Sequence, residues 1–229
     1  MTDVPTVRDD GRAGRRSWQM IDGALESIDF PGPTDMRFPE SLAEYVLENF
    51  SRPGDWVLDP FCGFGTTLAV AHRLGREAVG FERDDQRAAF ARTRLPDPAR
   101  LLTADAEHVG AEHVGAGPWP PFALLLTSPP FTSFRTSVGR DVRETHLDDA
   151  RRIFASLTRF LAPGATVAVE VSQLRRPEWR RTRPLVWEFG MLLGELFQFS
   201  EDIVFVQTGP DHAAPGYHHT HVLVFRYEP

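Results

Sequence analysis

The chain is 229 residues long, 41% hydrophobic and 25% charged, with a formal net charge of −7. Those values fit one globular domain and exclude wholesale disorder. All 25 basic residues are arginine, which excludes Schiff-base, phosphate-loop-lysine and lysine-base chemistry, and the acidic balance excludes nucleic-acid binding by net charge alone.

Met1 to Arg16 is charged and poor in large apolar side chains, and reads as a mobile tail (1–16) ahead of a single domain over 17–229. It holds no apolar run of the secretory kind, and no later stretch approaches the ~18 apolar residues of a membrane helix. The lone Cys62 excludes an intrachain disulfide and a cysteine zinc cluster. A cytoplasmic protein with no membrane association is the expectation. Trp18 to Pro39 mixes aromatic and apolar residues with Gly and Pro, and reads as a packed but irregular lead-in.

Regular elements begin at Pro39. Leu42, Tyr45, Val46 and Leu47 share one face of a helix over Ser41–Phe50, with Ser41 and Glu44 spaced as a capping box. A turn at Arg52–Asp55 leads to a buried strand at Trp56–Asp59. A helix over Thr66–Gly75 is ended by its glycine, a strand follows at Ala78–Glu82, and Pro96 stops a helix over Asp84–Leu95. Strands are expected at Leu101–Asp105 and Phe122–Ser128, the latter almost continuously apolar, as in the middle of a parallel sheet. A helix over Leu147–Leu161, a strand at Thr166–Ser172, a helix over Leu185–Phe197 and strands at Asp202–Gln207 and His221–Tyr227 complete the series. This alternation predicts an α/β fold: a doubly wound, mostly parallel seven-stranded sheet with a carboxy-terminal antiparallel strand pair. A tandem AEHVG at 106–115 reads as a slipped duplication in a surface loop.

The chemistry gathers at strand ends. Asp59 closes a strand, Gly63 and Gly65 permit a tight turn free of Cβ atoms, and Thr66 and Thr67 open a helix facing the same space. Glu82 ends the next strand, suited to two ribose hydroxyls, and Asp105 ends the third, suited to an adenine amino group; either acid also fits a helix cap. Leu68 stands where a dinucleotide fingerprint needs its third glycine, Pro60 precedes the loop, and no lysine is present for a phosphate loop.

The stretch FPESLAEYVLENFSRPGDWVLDPFCGFGTTLAVAHRLGREAVGFE, Phe38 to Glu82, resembles the cofactor half of the S-adenosylmethionine-dependent DNA amino-methyltransferases, its Asp-Pro-Phe-x-Gly-x-Gly-Thr-Thr run above all. The resemblance implies a Rossmann-like methyltransferase domain with S-adenosyl-L-methionine as cofactor. It implies Phe38, Pro39 and Glu40 beside the methionine moiety, Asp59, Pro60, Phe61, Gly63, Gly65, Thr66 and Thr67 as its pocket, Glu82 on the ribose and Asp105 near the adenine.

A second motif supplies the acceptor side. Two prolines after a buried strand make a rigid exit, which projects Ser128, the Pro129 carbonyl and Phe131 into the cleft, with Pro130 stiffening the turn. An exocyclic amine is a poor nucleophile because its lone pair is delocalised. Two acceptors, the Ser128 hydroxyl and the Pro129 carbonyl, hold its hydrogens and aim the lone pair, while Phe131 offers a stacking face to a flipped base. Ser-Pro-Pro-Phe resembles the family form typical of cytosine-N4 enzymes; adenine-N6 enzymes more often begin with Asp or Asn. The implied partner is DNA, its base flipped into the cleft. The same core acting on RNA or a small-molecule amine, or serving as a cofactor-binding subunit, is the alternative.

Little chain remains for target recognition. Arg135 and Arg140 lie in one candidate loop, and Arg175, Arg176, Arg180 and Arg181 surround Trp179 in another, a composition suited to phosphates and bases. A separate specificity subunit or a homodimer would supply what is missing. Asp211, His212, His218, His219 and His221 fit no standard metal spacing and read as loop histidines near the site, with His219 and His221 on one side of a strand. No metal is expected.

Overall fold

The computed structural model describes residues 17–34, 37–97, 100–108, 119–130, 142–172, 184–208 and 219–229, with the side chains of 142–146 left aside. The tail expected over 1–16, the loop repeat beyond His108, Phe131 and the two arginine-rich segments lie outside them.

In chain order the elements are β1 (Trp18–Asp22), α1 (Glu40–Phe50), β2 (Trp56–Asp59), α2 (Thr66–Arg73), β3 (Glu77–Glu82), α3 (Asp85–Arg92), β4 (Leu101–Thr103), β5 (Phe122–Thr127), α4 (Val142–Leu157), β6 (Leu161–Val171), α5 (Leu185–Gly194), β7 (Gln198–Thr208) and β8 (His219–Arg226). The strands form one sheet in the order β1-β7-β8-β6-β5-β2-β3-β4. Every neighbouring pair is parallel except the two that involve β8, which runs antiparallel to both β6 and β7.

The expected seven strands are therefore eight. The addition is β1, drawn from the stretch read as an irregular lead-in, and it pairs parallel with β7 from Trp18↔Val204 to Asp22↔Thr208. Only Ile21 of its five residues is buried, so it carries little of the apolar signal by which strands are recognised. The carboxy-terminal antiparallel pair is present as β7 and β8.

Successive strand residues face opposite layers. Val57, Leu124 and Leu126 pack with Leu42, Val46 and Leu47 of α1, Leu68 and Val70 of α2, and Ala88 and Ala91 of α3. Leu58, Phe81 and Leu125 pack with Ile153 and Phe154 of α4 and with Phe189 and Leu193 of α5. The sheet is thus covered on both faces, and the turns from β2 to α2 and from β3 to α3 open at the carboxyl edge of the parallel strands.

The capping box does not form. Pro39 occupies the N-cap of α1 with no side-chain cap bond; the Ser41 hydroxyl donates to the Asp22 carbonyl at 2.6 Å, and Glu44 pairs with Arg73. Tertiary partners outcompete the local cap. Asp84 does cap α3, accepting from the Arg87 N–H at 2.8 Å.

Gly80 sits where β3 passes beneath the loop that follows β2. A Cβ there would stand 2.8 Å from the Cys62 Cβ and from Leu68 Cδ1. Gly80→Ala is expected to lower the melting temperature by roughly 5 °C through overpacking. It also pushes the loop outward, so a thermal melt and a cofactor titration are expected to change together.

Candidate active site

β2 delivers Asp59 to the carboxyl edge, where it is only 3% exposed. Its Oδ2 accepts the Thr67 hydroxyl at 2.6 Å. Its Oδ1 accepts the Thr127 hydroxyl at 2.6 Å and the Phe61 N–H at 3.2 Å. One carboxylate thus ties together the end of β2, the loop behind it, the first turn of α2 and the end of β5. Burial raises its pKa to about 6, against the pull of those three donors. Its oxygens serve the scaffold, so Asp59 shapes the pocket from behind.

The loop itself turns through left-handed glycines, Gly63 at φ 55° and Gly65 at φ 82°. A Cβ on Gly63 would meet nothing nearer than the Phe61 carbonyl oxygen at 4.0 Å. It would project into open space ahead of the loop, space that a ligand can occupy only if the Cβ is absent. The first-turn N–H groups of α2 lack intrahelical partners by the nature of a helix start. Cys62 lies beneath the loop, where burial and the nearby Asp59 push its thiol well above the ordinary range; it is unsuited to act as a nucleophile.

Glu82, at the end of β3, is buried and accepts the Asp84 N–H at 2.8 Å through Oε1. Its Oε2 has Arg87 at 3.9 Å, which leaves that oxygen available to a pair of hydroxyls. Phe64 of the loop meets Phe30 and Phe90 edge-on, with centroids 5.2 and 5.9 Å away. This aromatic trio seats the lead-in on the loop. Phe30 had no place in the sequence reading, because its partners come from two distant elements.

Other expected residues take different places. Phe38 is buried in the α1 layer and Pro39 caps the helix, but Glu40 bonds Arg73 at 2.7 Å, at the opposite end of α2 from the glycines. Asp105 caps a short 3-10 turn, accepting the Glu107 N–H at 3.0 Å. Asp105, Glu107 and His108 lie close together, but Glu107 is engaged by Arg152 at 2.8 Å, an arrangement suited to a cap and an ion pair.

At the end of β5 the chain leaves as Ser128-Pro129-Pro130, with Pro129 buried and its neighbours half-buried. Thr127 is in register with Val169 of β6, so Ser128 falls beside Glu170. The Ser128 hydroxyl donates to Glu170 Oε2 at 2.6 Å. Glu170 Oε1 accepts from the Thr220 hydroxyl, and from the Ser172 hydroxyl at 3.3 Å. Burial pushes the Glu170 carboxyl up, and these hydroxyls and the nearby His221 draw it back. His219 and His221 do share one side of β8, their rings 5.6 Å apart, and His221 is held by Asp202 at 3.0 Å. Glu170 was missed, although an acid inside the apolar run TVAVEVS was the available sign.

Two consecutive hydroxyls at the end of the middle strand, Thr127 and Ser128, therefore donate to two buried carboxylates, Asp59 from one neighbouring strand and Glu170 from the other. Phe131, Arg135, Arg140, Arg175, Arg176, Trp179, Arg180 and Arg181 lie outside the described residues, as do Asp211, His212 and His218.

Comparison with known proteins gives these features a setting. Residues 14–92 match the family model described as DNA methylase. The chain is 42% identical over 66 residues to the type II methyltransferase M.SmaI of Serratia marcescens, a match covering 29% of this chain and 23% of that protein. It is 51% identical over 73 residues to the type II methyltransferase M.HinfI of Haemophilus influenzae, covering 29% and 20%. The matches thus span about a quarter or less of these relatives. Among solved structures, TrmN from Thermus thermophilus aligns with a TM-score of 0.56 at 22% identity, covering 82% of this chain and 48% of that one. Magnesium protoporphyrin IX methyltransferase from Synechocystis, solved with bound S-adenosylmethionine, aligns at 0.52 and 11% identity, covering 82% and 77%. Residues 14–92 are thus similar to the DNA methylase family model, and the fold is similar to that of these solved methyltransferases.

Proposed function

We propose that the chain is an S-adenosylmethionine-dependent methyltransferase acting on the exocyclic amine of a DNA base, cytosine N4 ahead of adenine N6. The observation that carries this reading is the adjacency of two features on β2 and β5: an open left-handed glycine loop, and a Ser-Pro-Pro exit whose Ser128 follows a residue bonded to the loop's own Asp59. The DNA methylase match over residues 14–92 supports it.

When bound, the cofactor supplies an electrophilic sulfonium methyl group. Gly63 and Gly65 leave room for it, and Glu82 offers Oε2 to the ribose hydroxyls. Ser128 Oγ and the Pro129 carbonyl accept the two amine hydrogens, turning the nitrogen lone pair towards the methyl. The bound cofactor would supply the methyl group to that nitrogen and keep the bond's electron pair on its sulfur, and one amine proton would pass to solvent. Phe131 stacks on the flipped base, and the arginines of the two recognition segments hold the phosphates. A second copy or a separate specificity subunit supplies the remaining sequence readout.

The test is incubation with labelled cofactor and a panel of unmethylated double-stranded DNA, single-stranded DNA and RNA, followed by nucleoside mass spectrometry. N4-methylcytosine in duplex DNA is the expected product. Label in RNA alone, or in no nucleic acid, would overturn the reading.

A further inference from the structure

The hydroxyl of a serine offers one proton and two lone pairs, so what Ser128 presents to the cleft depends on where its proton goes. In this chain it goes to Glu170, 2.6 Å away. The carboxylate is itself fixed. It is 7% exposed, and its other oxygen accepts from Thr220, which is buried on β8, and from Ser172 just beyond β6. Ser128 and Thr220 thus both donate to one acid, and Ser172 braces the pair from 2.8 Å on Thr220 and 3.3 Å on Glu170. In its ionised form the carboxylate only accepts, which keeps the Ser128 and Thr220 protons turned towards it.

We propose that Glu170 sets the hydrogen-bond polarity of the site. By taking the only hydroxyl proton of Ser128, it leaves Oγ with lone pairs alone. Of the described residues, Ser128 Oγ and the Pro129 carbonyl then present acceptors only to the substrate position beside them. It admits a base edge that donates, an exocyclic amine, and rejects one carrying a carbonyl there, as thymine O4 or guanine O6 would. Glu170 is a positioning and specificity residue that acts through Ser128; it does not touch the base. The inference rests on the amine-methyltransfer reading, to which it adds the source of the amine preference.

Glu170→Gln tests it with little change of shape. The hydroxyls of Thr220 and Ser172 keep the amide oxygen on their side, so the amide NH2 faces Ser128 and donates to it. The Ser128 proton then turns towards the cleft, opposing an incoming amine. The expected result is a fall in kcat of at least ~10-fold, with cofactor affinity unchanged and an intact thermal transition. Ser128→Ala combined with Glu170→Gln is expected to be no worse than Ser128→Ala alone, because Glu170 acts only through that hydroxyl.

Neutron diffraction from the perdeuterated chain reads the proton directly. The Ser128 deuteron is expected on the line to Glu170 in the wild type and towards the cleft in Glu170→Gln. A wild-type deuteron in the cleft overturns the proposal whatever the kinetics, as does an additive double variant or an unchanged kcat in Glu170→Gln. A Ser128 deuteron directed at Glu170 in a wild-type chain that methylates no nucleic acid overturns the DNA reading instead, with the polarity of the site upheld.

Discussion

Ser128→Ala is expected to lower methyl transfer by ~10²–10³-fold while leaving cofactor affinity within twofold of the wild type. The loss follows from geometry. On the proposed reading, an amine held by the Pro129 carbonyl alone would keep one hydrogen unbound and rotate about the remaining bond, so its lone pair would no longer be aimed. Cofactor affinity is spared because Ser128 bonds Glu170, while the glycine loop hangs on the neighbouring Thr127–Asp59 bond. The substitution also strips Glu170 of one of its three hydroxyl donors, so a thermal melt belongs beside the assay. Single-turnover rates and calorimetric titration of the cofactor measure the two halves separately. Equal losses in both would show that Ser128 supports the pocket and not the reacting amine.

Asp59 carries the second large effect. Asp59→Ala leaves the hydroxyls of Thr67 and Thr127 and the Phe61 N–H without their acceptor, at a cost of about 3–5 kcal/mol, and frees the loop that it anchors. Chemical denaturation is expected to show the lost stability, and cofactor titration a matching loss of affinity. Asp59→Asn separates charge from connectivity. The folded-state pKa, raised from 3.8 to about 6, lies above the unfolded value, so the folded chain holds this proton more tightly. The stability it confers is fully present below about pH 4 and is lost as pH rises through 6. Relative to the wild type, Asp59→Asn is therefore expected to gain about 2 kcal/mol between pH 4 and pH 8. A difference that stays flat across that range would mean the carboxyl titrates normally.

These residues also mark how far the sequence could be read. Asp59, Gly63, Gly65 and Thr67 were visible because a strand, a tight turn and a helix start follow one another within nine residues, and each leaves a local trace. Their division of labour was not visible. Asp59 reads as a pocket residue in sequence; its bond to Thr127, 68 residues away, adds a brace to the end of β5 that no local signal announces. Glu170 was hidden for a related reason: a lone acid in an apolar strand gains meaning only when β5 and β8 bring Ser128 and Thr220 to it. Strand β1 was missed because its partner lies beyond residue 197, and the capping box was over-read because the Asp22 carbonyl takes Ser41 and Arg73 takes Glu44. Local chemistry was legible; assignments that depend on strands meeting across the sheet were not.

The position of β8 has a consequence for how the chain reaches this state. It lies between β6 and β7, and β7 in turn holds β1. During synthesis, residues 18–22 emerge early but have no strand to join until residues 219–226 have left the ribosome and seated β7. Half of the sheet, β2 to β5, is free to assemble beforehand from strands that all precede Ser128. The β1–β7 pairing spans 186 residues (Trp18 to Val204) and belongs to the slow phase that long-range strand pairing imposes. Folding followed by pulsed hydrogen exchange should therefore protect the β2 and β3 amides first and those of β1 last. The carboxylate pocket around Glu170 matures with the late group, well after the glycine loop has formed.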